Sequence, residues 1–242
     1  GSSYYYELLN EYDEEFDKFF KIRADFDYEM PRTDENIRKI AQFIKRFVDR
    51  EGCMEFDVSA VCAIVEYSSR TAERQDKLST RFNHLAEILC EAVTWAKLEG
   101  AELVTAEHIQ KTIYEKEQRM KLYEEKLDEM LEENVIMIDT EGAEIGQING
   151  LAVLDMGNYA FGNPSRITAT TYVGKSGIVN IEKEARLSGQ THDKGVQIIT
   201  GFLGQTYAQN FPLSLSCRVC FEQNYNGIDG DSASSTELYC IL

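Results

Sequence analysis

Residues 227–235 read Gly-Ile-Asp-Gly-Asp-Ser-Ala-Ser-Ser, a glycine-rich turn that joins two patterns of different period. Before the turn, residues 213–222 alternate apolar and polar side chains, as a β-strand with one buried face does. After it, residues 237–239 are compatible with the beginning of a helix. Ser232 therefore sits on a tight connection among small residues, where its hydroxyl has little steric cover. A nucleophile requires such a position.

The composition narrows the classes of protein that need to be considered. The chain has 242 residues, 43% of them hydrophobic, and a formal net charge of −17. The length allows one large domain or two ordinary ones, and the composition is that of a folded protein rather than a disordered one. The negative charge repels phosphate backbones, so we expect no nucleic-acid partner. No apolar run has the length of a bilayer span, so we expect no membrane partner.

Six cysteines raise the question of a metal site or disulfides. Cys217 and Cys220 have the spacing of zinc ligands, but strand alternation points them to opposite faces. The other four are scattered along the chain, at Cys53, Cys62, Cys90 and Cys240. We interpret all six as reduced thiols of a cytoplasmic protein and predict no metal site.

The chain changes character near residue 134. Before that point, apolar residues recur with helical period, and the pattern predicts four helices. The first begins at residues 33–35 and ends at Gly52, the second follows an Asp57 cap, and the third follows Ser79 and ends at Gly100. The fourth is a long charged helix from Thr105 to about Leu131. We expect an all-α bundle over residues 31–115 and a linker helix over 116–133.

The second half is rich in glycine and in short β-prone runs. Strands are predicted in five places, namely residues 135–138, 145–154, 166–172, 177–181 and 213–222. Residues 198–203 are predicted to be a buried strand that turns into a helix. We expect a mixed α/β domain over residues 134–242, and an α+β fold for the whole chain.

Two functional readings remain open from these residues alone. Residues around Ser232 do not form the nucleophile elbow of the α/β-hydrolases, because Ser234 stands where that motif needs a second glycine. His192 is the only histidine in the same half, so a self-contained hydrolase would need it as the general base for Ser232. A non-catalytic interaction module with acidic helices is the other alternative.

Several runs in order resemble the ATP-dependent Lon proteases, in particular their LonB-type branch. They span most of the second half, at residues 146–153, 161–167, 179–182, 184–185, 188–189, 192–196, 221–223 and 230–234. The resemblance implies that Ser232 attacks the peptide carbonyl and that a lysine several dozen residues downstream is its general base. It also suggests that Asp231 assists, by shaping the turn or by tuning that lysine.

A serine–lysine dyad makes a strong physical demand. The lysine accepts the serine proton only when neutral, so its pKa must fall from about 10.4 by several units. No lysine follows Lys194 here, and Arg218, the only later cation, cannot act as a base. The sequence therefore resembles a Lon-like protease that ends just after its nucleophile. We expect the chain alone to have negligible peptidase activity.

The helical half resembles the lid subdomain of an AAA+ ATPase. The resemblance rests on residues 77–82, 91–92 and 95–96, and it makes Arg81 the sensor-2 arginine that reaches the nucleotide phosphates. Residues 1–30 would then be the end of the large ATPase subdomain. Residues 174–176 do not complete a phosphate loop, because Ala169 stands where its first glycine belongs.

The resemblance also implies cofactors and partners for the intact enzyme. These are ATP and Mg²⁺, unfolded protein substrates and a homo-oligomeric ring, namely a hexamer. Because the phosphate loop is missing from this sequence, we expect neither ATP nor Mg²⁺ to stay bound to this chain by itself.

Overall fold

The computed structural model describes residues 3–157 and 159–242, and the chain divides into two compact units. The first, Gly1–Lys116, is mainly helical, and the second, Glu117–Leu242, combines a four-stranded sheet with helices. The mixture of helix and sheet agrees with the α+β class expected from the sequence. In the part of the chain that the structure describes, no helix is long and apolar enough to cross a membrane.

Two helices of the first unit begin at the capping residues that the sequence predicted. Its elements are α1 (Ser3–Tyr12), α2 (Phe16–Phe19), β1 (Glu29–Pro31), α3 (Asp34–Glu51), α4 (Val58–Thr71), β2 (Lys77–Ser79), α5 (Phe82–Leu98) and α6 (Ala106–Gln118). The Thr33 hydroxyl accepts the N–H of Asn36 at 3.3 Å, and the Asp57 carboxylate accepts that of Ala60 at 2.8 Å. Each bond satisfies a donor that the first helical turn leaves unpaired. Both predicted caps are confirmed.

Helices α3 to α6 each contribute an apolar stripe to one core. Its buried side chains recur every three or four residues along each helix, as the sequence pattern predicted. Fully buried members are Ile40, Ala60, Ile64, Leu85, Leu89, Ala92, Ala96 and Ile109. Burying each large aliphatic side chain contributes about 1.5–3 kcal/mol, so the stripes hold these helices together.

The prediction of an all-α first unit is wrong in one respect. Strands β1 and β2 pair antiparallel, with Glu29 opposite Ser79 and Pro31 opposite Lys77. The Ser68 hydroxyl anchors this ribbon to α4, because it accepts the Ser79 N–H at 2.9 Å inside the core. Each strand has three residues, which is too short for alternation to appear in the sequence.

The second unit consists of a sheet with helices packed on it. Its elements are α7 (Leu122–Glu132), β3 (Gln147–Asp155), β4 (Ala160–Val173), β5 (Gly177–Asn180), α8 (Ile181–Glu184), α9 (Gln190–Tyr207), β6 (Leu215–Phe221) and α10 (Ser234–Ile241). The strand order is β3-β4-β6-β5, with β5 and β6 parallel and the other pairs antiparallel. Helix α10 packs on β3, β4 and α9. It therefore brings the turn that precedes it to the sheet and to α9.

Residues 198–203 do not form the strand that their β-branched run predicted. They lie in the middle of α9, whose buried residues Val196, Ile199 and Leu203 follow helical spacing. Ile198 and Phe202, which a buried strand would cover, are largely exposed. A short apolar run does not distinguish a strand from a helix, and the packing of α9 decides between them.

Two further boundaries differ from the prediction. Residues 135–138 are not a strand, because the Gln223 side chain donates to the Val135 carbonyl and accepts the Met137 N–H, both at 2.8 Å. The long charged helix is interrupted at residues 119–121, between α6 and α7. Both errors arise because the periodicity of apolar residues does not predict long-range side-chain contacts or turns within a helical pattern.

The aromatic N-terminal segment is largely uncovered. Tyr4, Phe19, Phe20 and Phe26 are exposed, whereas Phe16 is buried between the rings of Tyr6 and Phe20. The segment therefore buries only part of its apolar surface against the described residues of this chain.

Candidate active site

Ser232 lies on the turn that precedes α10, and its side chain is exposed. Gly227 and Gly230 in this connection have φ values of +86° and +103°, which residues with a side chain adopt rarely. The two glycines allow the chain to reverse sharply between β6 and α10. The strand, the turn and the helix expected around this serine are all present.

Asp229 attaches the serine turn to the beginning of α9. Its Oδ1 accepts the backbone N–H groups of Thr191 and His192 at 3.1 Å each, and that of Gly230 at 2.8 Å. The bond from Gly230 and then the bond from His192 are the main reasons why the pKa of Asp229 lies below its ordinary value. Asp229 thus supplies from another element the cap that α9 lacks at Gly189.

The side chain of His192 lies in a polar cluster beneath the turn. Its Nε2 is 3.1 Å from Oε1 of Glu237 on α10, and the same oxygen accepts from Nδ2 of Asn180 at 3.0 Å. His192 is 0% exposed and Glu237 is 1% exposed, so water does not screen this contact. The cluster links β5, α9 and α10.

On the other side of the ring, Nδ1 of His192 lies 2.9 Å from the Ser188 hydroxyl. That hydroxyl donates to Oδ1 of Asp193 at 2.7 Å, and Lys183 approaches Oδ2 of Asp193 at 3.4 Å. The Ser188 bond, followed by the charge of Lys183, holds the pKa of Asp193 below its ordinary value despite some desolvation. Both ring nitrogens of His192 are therefore occupied.

These contacts contradict the reading in which His192 is the general base for Ser232. A base must reach the hydroxyl whose proton it removes, and the ring nitrogens of His192 contact Ser188 and Glu237 instead. The ring is also buried, whereas Ser232 is exposed. The sequence placed the two residues in the same half correctly, but burial gives the histidine a different partner.

Two glycines allow the turn to lie directly against α9. A Cβ on Gly189 would lie 2.2 Å from Cγ of Asp229, and one on Gly195 would lie 2.2 Å from Oγ of Ser234. Since 189, 192 and 195 are spaced by three, they share one face of the helix. The serine turn thus packs on a face made of two glycines with His192 between them.

The three thiols of the second unit are poor candidates for a nucleophile. Burial raises the pKa of Cys220 and that of Cys240 to about 11, and it also raises that of Cys217. Cys217 lies in the sheet core while Cys220 is only half-buried, as alternation predicted. Among the residues that the structure describes, no group of three or more His, Cys, Asp or Glu side chains could hold a metal ion.

The other two predicted site residues lie apart from this network. Asp231 precedes Ser232 and is exposed, and its carbonyl accepts the Ser234 N–H at 3.2 Å. Arg81 belongs to the first unit, at the N-cap of α5, with its guanidinium 5.4 Å from the centre of the Tyr28 ring. The described residues provide no ion-pair partner for Arg81, so its charge is available to an anion.

Beside the serine turn, the surface has an open depression of about 430 Å³. It is lined by residues 186–189 and 226–229, and the two segments are hydrogen-bonded to each other through Ile228, as adjacent parallel strands are. The depression therefore borders Asp229, three residues before Ser232.

Comparison with known families and proteins covers both units. Residues 55–119 match the family model described as "Archaeal LonB, AAA+ ATPase LID domain", and residues 1–27 match the one described as "LonB-like, AAA domain". The archaeal Lon protease of Thermococcus kodakarensis is 30% identical over 231 residues, which cover 88% of this chain and 33% of that protein. The chain belongs to the LonB-like branch of the Lon protease family.

Two bacterial relatives agree with this assignment. Proteins named "Putative Lon protease homolog" in Escherichia coli (strain K12) and Haemophilus influenzae are 36% identical over 150 residues and 31% identical over 199 residues. The matches cover 61% and 80% of this chain, respectively. The Lon-like chain spans about a quarter to a third of the length of these curated relatives.

Sequence reasoning about this Lon-like chain missed the residues that hold the serine turn. In the sequence, Asp229 is indistinguishable from an ordinary turn residue, and Glu237 only indicates the beginning of a helix. No spacing rule links Glu237 to His192, which is 45 positions earlier. The one available signal was that Ser188, Gly189 and His192 fall within runs that resemble the family.

Proposed function

We propose that this chain is part of an ATP-dependent serine endopeptidase in which Ser232 is the nucleophile. The observation that carries the proposal is an exposed serine hydroxyl on a turn that is anchored to α9 on both sides, through Asp229 and Glu237. A reactive hydroxyl needs access to substrate and a rigid support, and this turn has both. The Lon-like matches to both units support the assignment.

The chemistry follows from the serine. Its Oγ forms a bond to the carbonyl carbon of a substrate peptide, while its proton moves to a neutral lysine that the family resemblance supplies after the serine. The tetrahedral oxyanion collapses, the peptide C–N bond breaks, and the leaving amine takes the proton. Water then hydrolyses the acyl-enzyme. We assign the oxyanion donors to backbone N–H groups near the beginning of α10, and an auxiliary role at the turn to Asp231.

The first unit is proposed to be the lid of the ATPase, with Arg81 as its phosphate contact. An exposed guanidinium at the N-cap of α5, beside the Tyr28 ring, fits an anionic ligand. ATP with Mg²⁺ would supply the energy that moves unfolded protein towards the serine. We further propose that the intact enzyme is a homo-oligomeric ring, a hexamer, and that its substrates are unfolded proteins.

Ser232→Ala in the intact protein tests this function. We expect at least about a thousandfold loss in the rate of hydrolysis of a fluorescently labelled unfolded protein with ATP and Mg²⁺, because the nucleophile is removed. Ser235→Ala is the matched control, since Ser235 is also exposed and lies one helical turn away. Unchanged hydrolysis in Ser232→Ala would refute the assignment and favour the non-catalytic module.

The chain by itself provides a second measurement. We expect residues 1–242 to show no hydrolysis above the Ser232→Ala background and no tight ATP binding by calorimetry. Peptide cleavage that depends on Ser232 in this chain would show that its general base lies among these residues, contrary to the proposed lysine.

A further inference from the structure

Residues 229–237, which contain Ser232, contact one residue of α9 at both of their ends. At the near end, Asp229 accepts the backbone N–H of His192 at 3.1 Å. At the far end, Glu237 contacts the ring of the same His192, also at 3.1 Å. A nine-residue segment held at both ends on one residue has little freedom to shift. The position of Ser232 therefore depends on His192.

We propose that His192 and Glu237 form a buried ion pair and that both are positioning residues for the Ser232 turn. Neither touches the substrate or the reacting atoms. The proposal rests on the proposed function, since it takes Ser232 to be the nucleophile.

The hydrogen-bond pattern fits a doubly protonated imidazole. The Ser188 hydroxyl uses its proton towards Asp193, at 2.7 Å, with the Gly189 carbonyl as a weaker acceptor at 3.4 Å. It can therefore only accept from Nδ1 of His192. An ionised Glu237 oxygen likewise can only accept, from Nε2. Two acceptors facing the two ring nitrogens call for an N–H on each, which is the charged form of histidine.

The surroundings of His192 favour that charge. Carboxylates face it from four places, namely Glu237 on α10, Glu182 on α8, Asp193 on α9 and Asp229 in the serine loop. From β6 the ring of Phe221 meets the imidazole edge to face, at 5.6 Å between centres. Lys183 is the nearby cation, and it contacts Asp193.

These groups decide the direction of the histidine pKa. Burial lowers it, but the hydrogen bond and charge of Glu237, with smaller contributions from Glu182 and Asp193, outweigh burial and raise the pKa of His192 above its ordinary value. Since the unfolded value is about 6.5, the pair stabilises the fold fully below that pH. The contribution is lost as the pH rises through the higher folded pKa.

Glu237 has no comparable partner without this histidine. Its Oε1 accepts from His192 and Asn180, and its Oε2 is buried without a hydrogen-bond partner in the described part of the chain. An uncompensated carboxylate at this position would carry a large desolvation cost. Loss of the histidine charge should therefore loosen α10, and the serine turn with it.

The test measures the order of the turn and the titration of the histidine in the purified chain, without any peptidase assay. NMR titration of the histidine rings gives the pKa of His192, which is compared with the ordinary histidine value of about 6.5. Amide hydrogen exchange, expressed as protection factors, reports residues 231–235. We expect the pKa of His192 to lie above that ordinary value and the protection factors to fall about tenfold between pH about 6 and about 9.

Four variants separate the effect of charge from the effect of side-chain shape. Glu237→Gln keeps the size of the side chain but removes its charge, so we expect the His192 titration to fall by about one pH unit or more and turn protection at pH about 7 to fall about tenfold. His192→Gln keeps a donor near Nε2, so it should retain more protection than His192→Ala while losing the pH dependence. Glu184→Gln, an exposed glutamate of the same unit, should change neither reading.

Clear results would overturn the proposal. The first is a pKa of His192 at or below about 6.5. The second is a set of protection factors in Glu237→Gln that lie within twofold of those in the unsubstituted chain. If Glu237→Gln fails to fold, the titration and the pH dependence of protection in the unsubstituted chain still decide. If the ion pair is refuted by these measurements, the proposed role of Ser232 as nucleophile still stands. If Ser232 is shown not to be the nucleophile, the measurements on the ion pair still stand.

Discussion

The two units of this Lon-like chain bury different kinds of side chain. In the helical unit the buried polar residues are serines, a threonine and His108 around a large apolar core, and all of them except Ser69 are hydrogen-bonded locally or at the β-ribbon. In the second unit the apolar cluster is small, and two carboxylates, Glu182 and Glu237, are buried beside it with His192. Among the described residues, buried carboxylates occur in the second unit alone.

This difference indicates how each unit specifies its own fold. An apolar core requires side chains of roughly the right size and pattern, and many sequences meet that requirement. A buried charged cluster requires particular partners at particular distances, because each unpaired group is costly. The unit that carries the proposed nucleophile is the one whose interior demands specific partners.

The largest expected effect, and the strongest test of this difference between the units, is that of Glu237→Ala. Removal of one partner leaves a buried imidazole uncompensated, so we expect a loss of about 3–5 kcal/mol in the free energy of unfolding of the second unit. Urea unfolding followed by far-UV circular dichroism measures that loss. Trp95, the single tryptophan of the sequence, reports the helical unit and should keep its fluorescence midpoint. A matching shift at Trp95 would show that the units unfold together.

Leu85→Ala tests the apolar core of the helical unit. Leu85 is fully buried, so truncation removes contacts and leaves a cavity, at a cost of about 2–5 kcal/mol in the free energy of unfolding. The fluorescence of Trp95 in urea measures it. Leu98→Ala, at an exposed position of the same helix, is the control and should cost less than about 0.5 kcal/mol. Equal effects of the two changes would contradict the assigned core.

The smallest expected effects are those of two glycine substitutions, one at Gly189, the N-cap of α9, and one at Gly201 within the helix. Gly189→Ala forces its new methyl group against Asp229, so we expect a loss of about 1–3 kcal/mol and faster amide exchange at the serine turn. Gly201→Ala meets no atom within 4 Å and should stabilise the helix by about 0.4–1 kcal/mol. Thermal unfolding measures both. If both changes stabilise the protein, the close contact between the turn and α9 is not required.

Much of the fold could be predicted because its signals are local. The caps at Thr33 and Asp57 and the stop at Gly52 are each defined within a few residues, and the apolar stripes repeat within one or two turns. Strand β6 and the serine turn were likewise visible, since alternation and glycines are local features. Predictions failed where a distant partner intervened, as at residues 135–138, which bond to Gln223.

The residues of the candidate site likewise differ in whether local sequence alone could identify them. Ser232 could be singled out from its neighbours in sequence, and the structure places it on an exposed turn. The supporting residues Asp229, His192 and Glu237 could not, because their roles exist only when α9, α10 and the loop meet. His192 was considered as a base because sequence shows residue type but not which atoms face its two nitrogens.

By itself, then, the sequence determined the helical unit, the strand-to-turn segment at Ser232 and membership of the Lon-like family. Period, capping and turn chemistry act over a few residues, so these features need no knowledge of the rest of the fold. Tertiary structure alone decided that residues 198–203 are helical and that His192 pairs with Glu237. Those outcomes depend on burial and on contacts between residues far apart in the chain, where an unpaired charge or an uncovered apolar face is penalised only after the elements have packed.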